Sequence, residues 1–143
     1  MRMTGAARCA FAGLFCALAS PAASERVRVE VAGLRSDAGL LRAAVCTRDE
    51  FLRPRCSHAG ASPAGEGQVT IEGVPEGRWA VQVFHDEDGD GDLDRQGRRP
   101  LEGMGFSRDA RMRFGPPRFA DAAFALDGGP GDAVVRLTMR YFQ

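Results

Sequence analysis

Arg78-Trp79-Ala80-Val81-Gln82-Val83-Phe84-His85 places Trp79, Val81, Val83 and His85 on one side of an extended chain and Gln82 and Phe84 on the other. A period of two is the mark of a β-strand with one buried face. The turn Val74-Pro75-Glu76-Gly77 precedes it, and before that Val69 and Ile71 alternate with Gln68, Thr70 and Glu72, so the two strands read as a hairpin-like pair. The same period extends towards both termini. Val27, Val29 and Val31 alternate with Arg26, Arg28 and Glu30 up to Gly33, and Leu41, Ala43 and Val45 follow the turn Asp37-Ala38-Gly39. Residues 47–66 read as a loop with Phe51 and Leu52 tucked beneath it. Towards the end, Ala120, Ala122, Phe124 and Leu126 share one face. After the turn Asp127-Gly128-Gly129-Pro130-Gly131, Val135, Leu137, Met139 and Tyr141 point inward and Arg136, Thr138 and Arg140 outward.

No segment carries a helical apolar stripe. Six strands are counted, or seven with a short one near Arg111–Phe114. Antiparallel sheets with one solvated face alternate in this way, so the expected fold is an all-β antiparallel sandwich, immunoglobulin-like or prealbumin-like.

A chain of 143 residues has room for one domain. Its start reads differently from the rest. Arg2 and Arg8 precede an apolar run from Cys9 to Ala19, and the small residues Ser20-Pro21-Ala22-Ala23-Ser24 follow. Positive charge, a short apolar stretch and small residues, in that order, describe a secretory signal peptide, and the run is too short to span a bilayer. A buried N-terminal helix would need a polar face, which the run lacks. Lipidation at Cys16 is disfavoured by the bulky Phe15 before it. The expected organisation is therefore a leader over residues 1–24 and one β-sandwich over residues 25–143, periplasmic or secreted.

Charge is balanced, with 19 basic and 19 acidic residues, and loss of the leader would make the remainder slightly acidic. That argues against non-specific binding of nucleic acid. Every basic residue is Arg. Cys46 and Cys56 form an even pair for an oxidising compartment, and a bridge between them would contribute up to about 3 kcal/mol. The alternative is two free thiols. A Cys46–His58 nucleophilic pair lacks an activating third group.

Chemistry concentrates in His85-Asp86-Glu87-Asp88-Gly89-Asp90-Gly91-Asp92-Leu93-Asp94. Asp86, Asp88, Asp90 and Asp94 occupy positions 1, 3, 5 and 9 of a loop with Gly91 at position 6. Calcium takes six to eight oxygen ligands, and alternate carboxylates around a tight turn supply them. Asp92, at position 7, would offer its backbone carbonyl, and Leu93 would pin the loop to the core. Position 12 is Gly97, so the bidentate Glu of an EF-hand is missing, and a strand rather than a helix enters the loop. The pattern fits shorter calcium loops between strands, with Asp94 bidentate and Glu102 reaching back as a further ligand. Two carboxylates 4 Å apart repel by about 4 kcal/mol at an effective dielectric near 20, which favours recruiting a cation. The competing reading is a solvated acidic turn neutralised by Arg95, Arg98 and Arg99. His85 is expected at the rim under the loop, hydrogen-bonded to a loop carboxylate. With only His58 for company, it makes a poor transition-metal ligand.

The run from Gly77 to Ser107 resembles the signature of domain of unknown function 2141, a family of small exported bacterial proteins. The matching residues are Gly77, Trp79, Ala80, His85, Asp86, Asp88, Asp90, Gly91, Leu93 and Asp94, followed by Pro100, Glu102, Gly103, Gly105, Phe106 and Ser107. Pro116-Pro117-Arg118-Phe119, Asp121-Ala122 and Phe124 extend the likeness. Where relatives often carry Asn in the loop this chain has Asp, which should favour a cation, and the Cys46–Cys56 pair lies outside the family pattern. The resemblance implies an exported β-sandwich and brings no activity with it.

Three functions follow as expectations. The first is a non-enzymatic, calcium-stabilised sandwich with a structural or binding role towards a protein or glycan. The second is a hydrolytic enzyme of the cell envelope using Ser107 or a loop carboxylate, although Ser107 lacks a nucleophile-elbow context. The third is an adhesin-like module, which needs an exposed aromatic platform from Phe106, Phe114 and Phe119, Trp79 being expected in the core. An edge strand free to pair two copies is compatible with all three.

Overall fold

The computed structural model describes residues 23–142, so the leader expected over residues 1–24 lies outside the described residues except for its last two. The strands, in chain order, are β1 (Ser24–Ala32), β2 (Leu40–Cys46), β3 (His58–Pro63), β4 (Gln68–Pro75), β5 (Gly77–Asp86), β6 (Arg95–Gln96), β7 (Arg99–Pro100), β8 (Met104–Phe106), β9 (Phe124–Leu126) and β10 (Ala133–Thr138), with one helical turn, α1 (Phe119–Ala122), before β9. One sheet runs β10-β1-β4; the other runs β3-β2-β5-β8, with β9 also pairing β5; β6 and β7 form a separate hairpin. Every pairing is antiparallel except β1 with β10, which run parallel with Val29 opposite Val135 and Val31 opposite Leu137. A sandwich of two sheets is therefore the architecture, as the alternation predicts. Among the described residues no helix is long and apolar enough to cross a membrane.

The core lies between the two sheets. Val27, Val29, Val69, Ile71 and Leu137 from the smaller sheet meet Leu41, Val45, Val81 and Val83 from the larger, all but completely buried. Burying each such aliphatic side chain stabilises by roughly 1.5–3 kcal/mol, so the two interdigitated faces carry most of the fold's free energy. A second cluster sits on the opposite face of the larger sheet. There Cys46, Ala80, Phe106 and Ala122 surround Phe51, whose ring meets Phe106 and Phe119 edge-on at centroid distances of 5.8 and 5.9 Å. Trp79 is in the main core with its indole N–H donated to the Pro75 carbonyl at 2.9 Å.

The structure departs from the sequence reading in several places, each with a local cause. β4 and β5 do not pair as a hairpin: β4 pairs with β1 and β5 with β2, so the turn at Glu76 crosses from one sheet to the other. Residues 47–66 contain a strand, β3, which pairs along β2 from Leu40 opposite Pro63 to Val45 opposite His58. Its sequence, His-Ala-Gly-Ala-Ser-Pro, has no β-branched or large apolar side chain to signal a strand. Small residues are needed there, because a Cβ on Gly60 would come within 3.0 Å of the Thr70 carbonyl on β4. Arg111–Phe114 forms no strand; the extra pairing is β8, with Val83 opposite Gly105. The expected strand from Ala120 shrinks to Phe124–Leu126, because a helical turn first drops Phe119 and Ala122 into the second cluster. Phe51 is buried as expected, but Leu52 is 41% exposed. Its left-handed backbone (φ 68°) turns it to the opposite side from Phe51.

Cys46 and Cys56 are bridged, closing the loop that carries Phe51. Inside that loop the Glu50 carboxylate accepts the backbone N–H groups of Thr47 and Ser57, each at 3.0 Å, together with the Ser57 hydroxyl. The Ser57 hydroxyl, then the Thr47 amide, hold the Glu50 carboxyl down at about 2. A carboxylate lowered in the folded state stabilises fully above its unfolded value near 4.5, and that contribution disappears as pH falls towards 2. The stability difference between wild type and Glu50→Gln, from urea unfolding at a series of pH values, is expected to be constant above about pH 5.5 and to shrink steadily below pH 4.5. A pH-independent difference would mean that Glu50 acts through shape alone.

Candidate metal centre

Strand β5 delivers the acidic loop. Its alternation turns His85 into the sandwich and Asp86 to the other face, and both are fully buried. The last residue of β5, Asp86, anchors the loop by three contacts. Its Oδ1 accepts the Gly89 N–H at 2.9 Å, and its Oδ2 accepts the Gly91 N–H at 3.1 Å and the Arg42 Nε–H at 2.5 Å. Gly91, at position 6, has φ 88°, a left-handed conformation that glycine adopts without steric cost. The sequence expectation of a tight turn closed at this glycine is what the backbone does.

The following aspartates continue the turn. Asp88 Oδ1 accepts the Asp90 N–H at 3.2 Å, and Asp90 Oδ1 accepts the Asp92 N–H at 2.8 Å. Glu102 then returns beneath the loop, 4% exposed, its two oxygens accepting the Glu87 N–H at 2.9 Å and the Asp94 N–H at 3.2 Å. Two three-carboxylate groups result, Asp86 with Asp88 and Glu102, and Asp88 with Asp90 and Asp94, each with one oxygen per residue within 4.8 Å of the others. Asp88 belongs to both. The carboxylate of Asp92 belongs to neither, consistent with a residue whose backbone rather than side chain was expected to contribute.

The electrostatics follow from the crowding. Loss of water raises the Asp94 carboxyl above its ordinary value, and the neighbouring Asp88, Asp90, Asp86 and Asp92 push it further the same way. Burial likewise raises Glu102, with Asp86 and Asp94 adding to it and the two backbone N–H groups only partly opposing. Asp86 behaves differently. Burial is its largest single influence and pushes it up, but Arg42 and the Gly91 and Gly89 amides together outweigh that and leave it lowered. Asp94 and Glu102 are thus short of positive charge, whereas Asp86, the first carboxylate of the loop, already has a guanidinium.

Sequence reasoning missed two arginines. Arg42 on β2 lies opposite Phe84 and reaches Asp86, 44 residues away in sequence. Arg35 forks onto Glu87, donating from Nε at 2.9 Å and from Nη2, while its guanidinium lies 4.5 Å from the Tyr141 ring centre. This holds Glu87 at about 2 and keeps it out of the carboxylate groups. Neither pairing had a local signal: sheet register brings Arg42 to Asp86, and the connection between β1 and β2 brings Arg35 to Glu87.

Several other expectations need correction. His85 makes no hydrogen bond to a loop carboxylate, Glu87 Oε1 lying 3.7 Å from its Nδ1. Its Nε2–H donates to the Ala38 carbonyl at 2.7 Å, and Nδ1, left as the acceptor, takes the Tyr141 hydroxyl proton at 2.8 Å. Leu93 does not pin the loop to the core; it is half-exposed on the wall of an outer groove. Phe106 and Phe119 are buried, leaving Phe114 as the exposed member of the expected aromatic trio. Ser107 is 1% exposed, and its hydroxyl accepts the Val81 N–H at 2.9 Å and donates to the Ala122 carbonyl at 2.6 Å, tying β5 to α1.

The sequence profile of domain of unknown function 2141, described as an uncharacterized protein conserved in bacteria, matches residues 29–133. The chain belongs to this family. No curated protein and no solved structure matches it. The stretch that resembles the DUF2141 signature now has a structural meaning in this member. Trp79 and Ala80 sit in the two cores, and Asp86 to Asp94 form the acidic turn. Glu102 braces that turn from below, and Phe106 and Ser107 lock it to the sheet through β8 and the α1 segment. Gly103 fits the same scheme, since a Cβ there would come within 2.4 Å of the Tyr141 ring.

Proposed function

We propose that this DUF2141 protein is an exported β-sandwich whose acidic loop takes up calcium, and that the metal serves a structural or binding role rather than catalysis. The observation that carries the reading is the pair of carboxylate groups sharing Asp88, set in a turn closed by Gly91 onto Asp86. An all-oxygen donor set with no sulfur and no imidazole suits a hard cation. Asp88, Asp90 and Asp94 would supply the side-chain oxygens, with the Asp92 carbonyl at position 7 beside them. Asp86 and Glu102 would brace the loop, and their oxygens complete the set as ligands if the Arg42 contact lengthens. Export rests on the leader pattern over residues 1–24 and accords with the Cys46–Cys56 bridge.

Thermal unfolding in calcium and in chelator tests the proposal. At a hundredfold excess over its dissociation constant, a ligand specific to the folded state adds about 2.7 kcal/mol, on the order of 10 °C in Tm for a domain this size. The shift is expected with calcium, to be weaker with magnesium, and to vanish in Asp90→Ala/Asp94→Ala. No shift at millimolar calcium would leave an acidic turn held by Arg42 and backbone amides, and would end the metal reading.

A further inference from the structure

The outer face of the larger sheet, away from the sandwich core, carries the second site. On β2, β3 and β5 the outward positions hold Ala44, Ala59, Ala61, Gln82 and Phe84, with Met104 beside them on β8. An antiparallel sheet facing water presents polar side chains at such positions. Apart from Arg42 and Gln82 they are small or apolar here, and flanking segments rise around them to border a groove of about 1250 Å³. Typical small-molecule pockets measure roughly 300–1,000 Å³, so the space is large enough for a long-chain ligand. One wall is Leu52–Arg55, fixed by the disulfide and by Gln82, whose amide accepts the Leu52 N–H at 2.8 Å and donates to the Arg53 carbonyl at 2.9 Å. Another is the β6–β7 hairpin with Leu93 and Pro100, and a third contains Met112 and Pro116.

Charge on the rim is one-sided. Arg53, Arg55, Arg95, Arg98, Arg99 and Arg113 line the groove, and among the described residues none has a carboxylate within 4.0 Å. Arg42 also lines it but is engaged by Asp86, and Asp92 is the one acidic residue in the lining. The whole chain has a formal net charge of zero, so this is segregation rather than bulk basicity. Gathered guanidinium groups above an apolar floor create a positive potential that an anion relieves, and the arginine fork matches a carboxylate in two hydrogen bonds.

We propose that this groove binds a long-chain carboxylate, its hydrocarbon tail on the Ala44–Ala61–Phe84–Met104 floor and its acid head among the rim arginines. Nucleic acid fits less well, since single-stranded binding wants successive aromatic platforms and the lining offers only Phe84 and Phe142. The groove adjoins the acidic loop, sharing Arg42, Gly91 and Asp92 with it, but the binding proposed here does not require a metal.

Isothermal titration of the purified protein with sodium laurate below its micelle concentration tests the idea, with acetate and dodecanol as partial ligands and phosphatidylglycerol vesicles as a membrane control. Saturable one-to-one binding of laurate is expected, with acetate and dodecanol each weaker by at least about tenfold because each supplies half of the chemistry. Arg98→Glu/Arg99→Glu and, separately, the exposed floor change Ala61→Glu are each expected to weaken laurate by roughly tenfold or more with unchanged Tm. Three results would overturn the proposal: no saturable uptake, acetate or dodecanol binding as tightly as laurate, or both variants binding normally. Binding to vesicles without uptake of monomeric laurate would also overturn it, in favour of a lipid surface as partner.

Discussion

Asp86→Ala is expected to lower the unfolding free energy by about 2–4 kcal/mol, measured by urea denaturation at neutral pH. Removing one partner of a buried ion pair costs roughly 3–5 kcal/mol, and the figure is reduced here because the Arg42 side chain remains one-third exposed (33%) and recovers some hydration. The change also strands the Gly89 and Gly91 N–H groups that the carboxylate satisfies. Arg42→Ala is the complementary test. It leaves a fully buried carboxylate with two amide donors and no cation, and added calcium should recover more stability in Arg42→Ala than in wild type, because the metal would then fill the guanidinium's electrostatic role. The double variant should be less damaged than the sum of the two singles. Full additivity, or a loss below about 0.5 kcal/mol in Asp86→Ala, would remove Asp86 from its place as the loop's anchor.

Replacing both bridged cysteines by alanine is expected to cost about 2–3 kcal/mol. The sequence separation is 10 residues, and the chain-entropy estimate for so short a loop falls just under that for 15 residues, about 3 kcal/mol. Packing adds to it. Cys46 is fully buried in the cluster that holds Phe51 against Phe106 and Phe119, so the bridge positions an aromatic cluster as well as shortening the unfolded chain. In thermal unfolding the loss should appear as a fall in Tm on the order of 10 °C, and reducing the wild type with dithiothreitol should reproduce most of it. An unchanged midpoint after reduction would assign the stability of this region to the aromatic contacts and to Glu50. Because Leu52–Arg55 forms a wall of the outer groove, reduction should weaken laurate there as well.

The sequence by itself determined the main core and the acidic turn. Val27, Val29, Val69, Ile71, Val81 and Val83 announce their strands because a half-buried strand repeats every two residues, a periodicity visible without knowing any partner. The spacing Asp86, Asp88, Asp90, Gly91 was legible for the same reason: the turn is built from its own side chains and amides, within six residues. Family membership was legible as well, and the family profile matches residues 29–133.

Only the tertiary structure decided what depends on pairing between distant segments. Strand β3 exists because β2 offers it an edge and β4 leaves space only for Gly60, and nothing in a run of Ala, Gly and Ser announces that. The parallel pairing of β1 with β10 is likewise invisible to periodicity, which gives a strand's faces but neither its neighbour nor its direction. His85 was placed correctly at the inward-facing rim, yet its partners, Ala38 and Tyr141, come from turns and strand ends that sequence spacing cannot bring together. The same holds for Arg42 at Asp86 and for the arginine-rimmed groove, whose members come from stretches as far apart as Arg42 and Phe142. Local chemistry is written in adjacent residues; electrostatic partners and concave surfaces are products of register and topology.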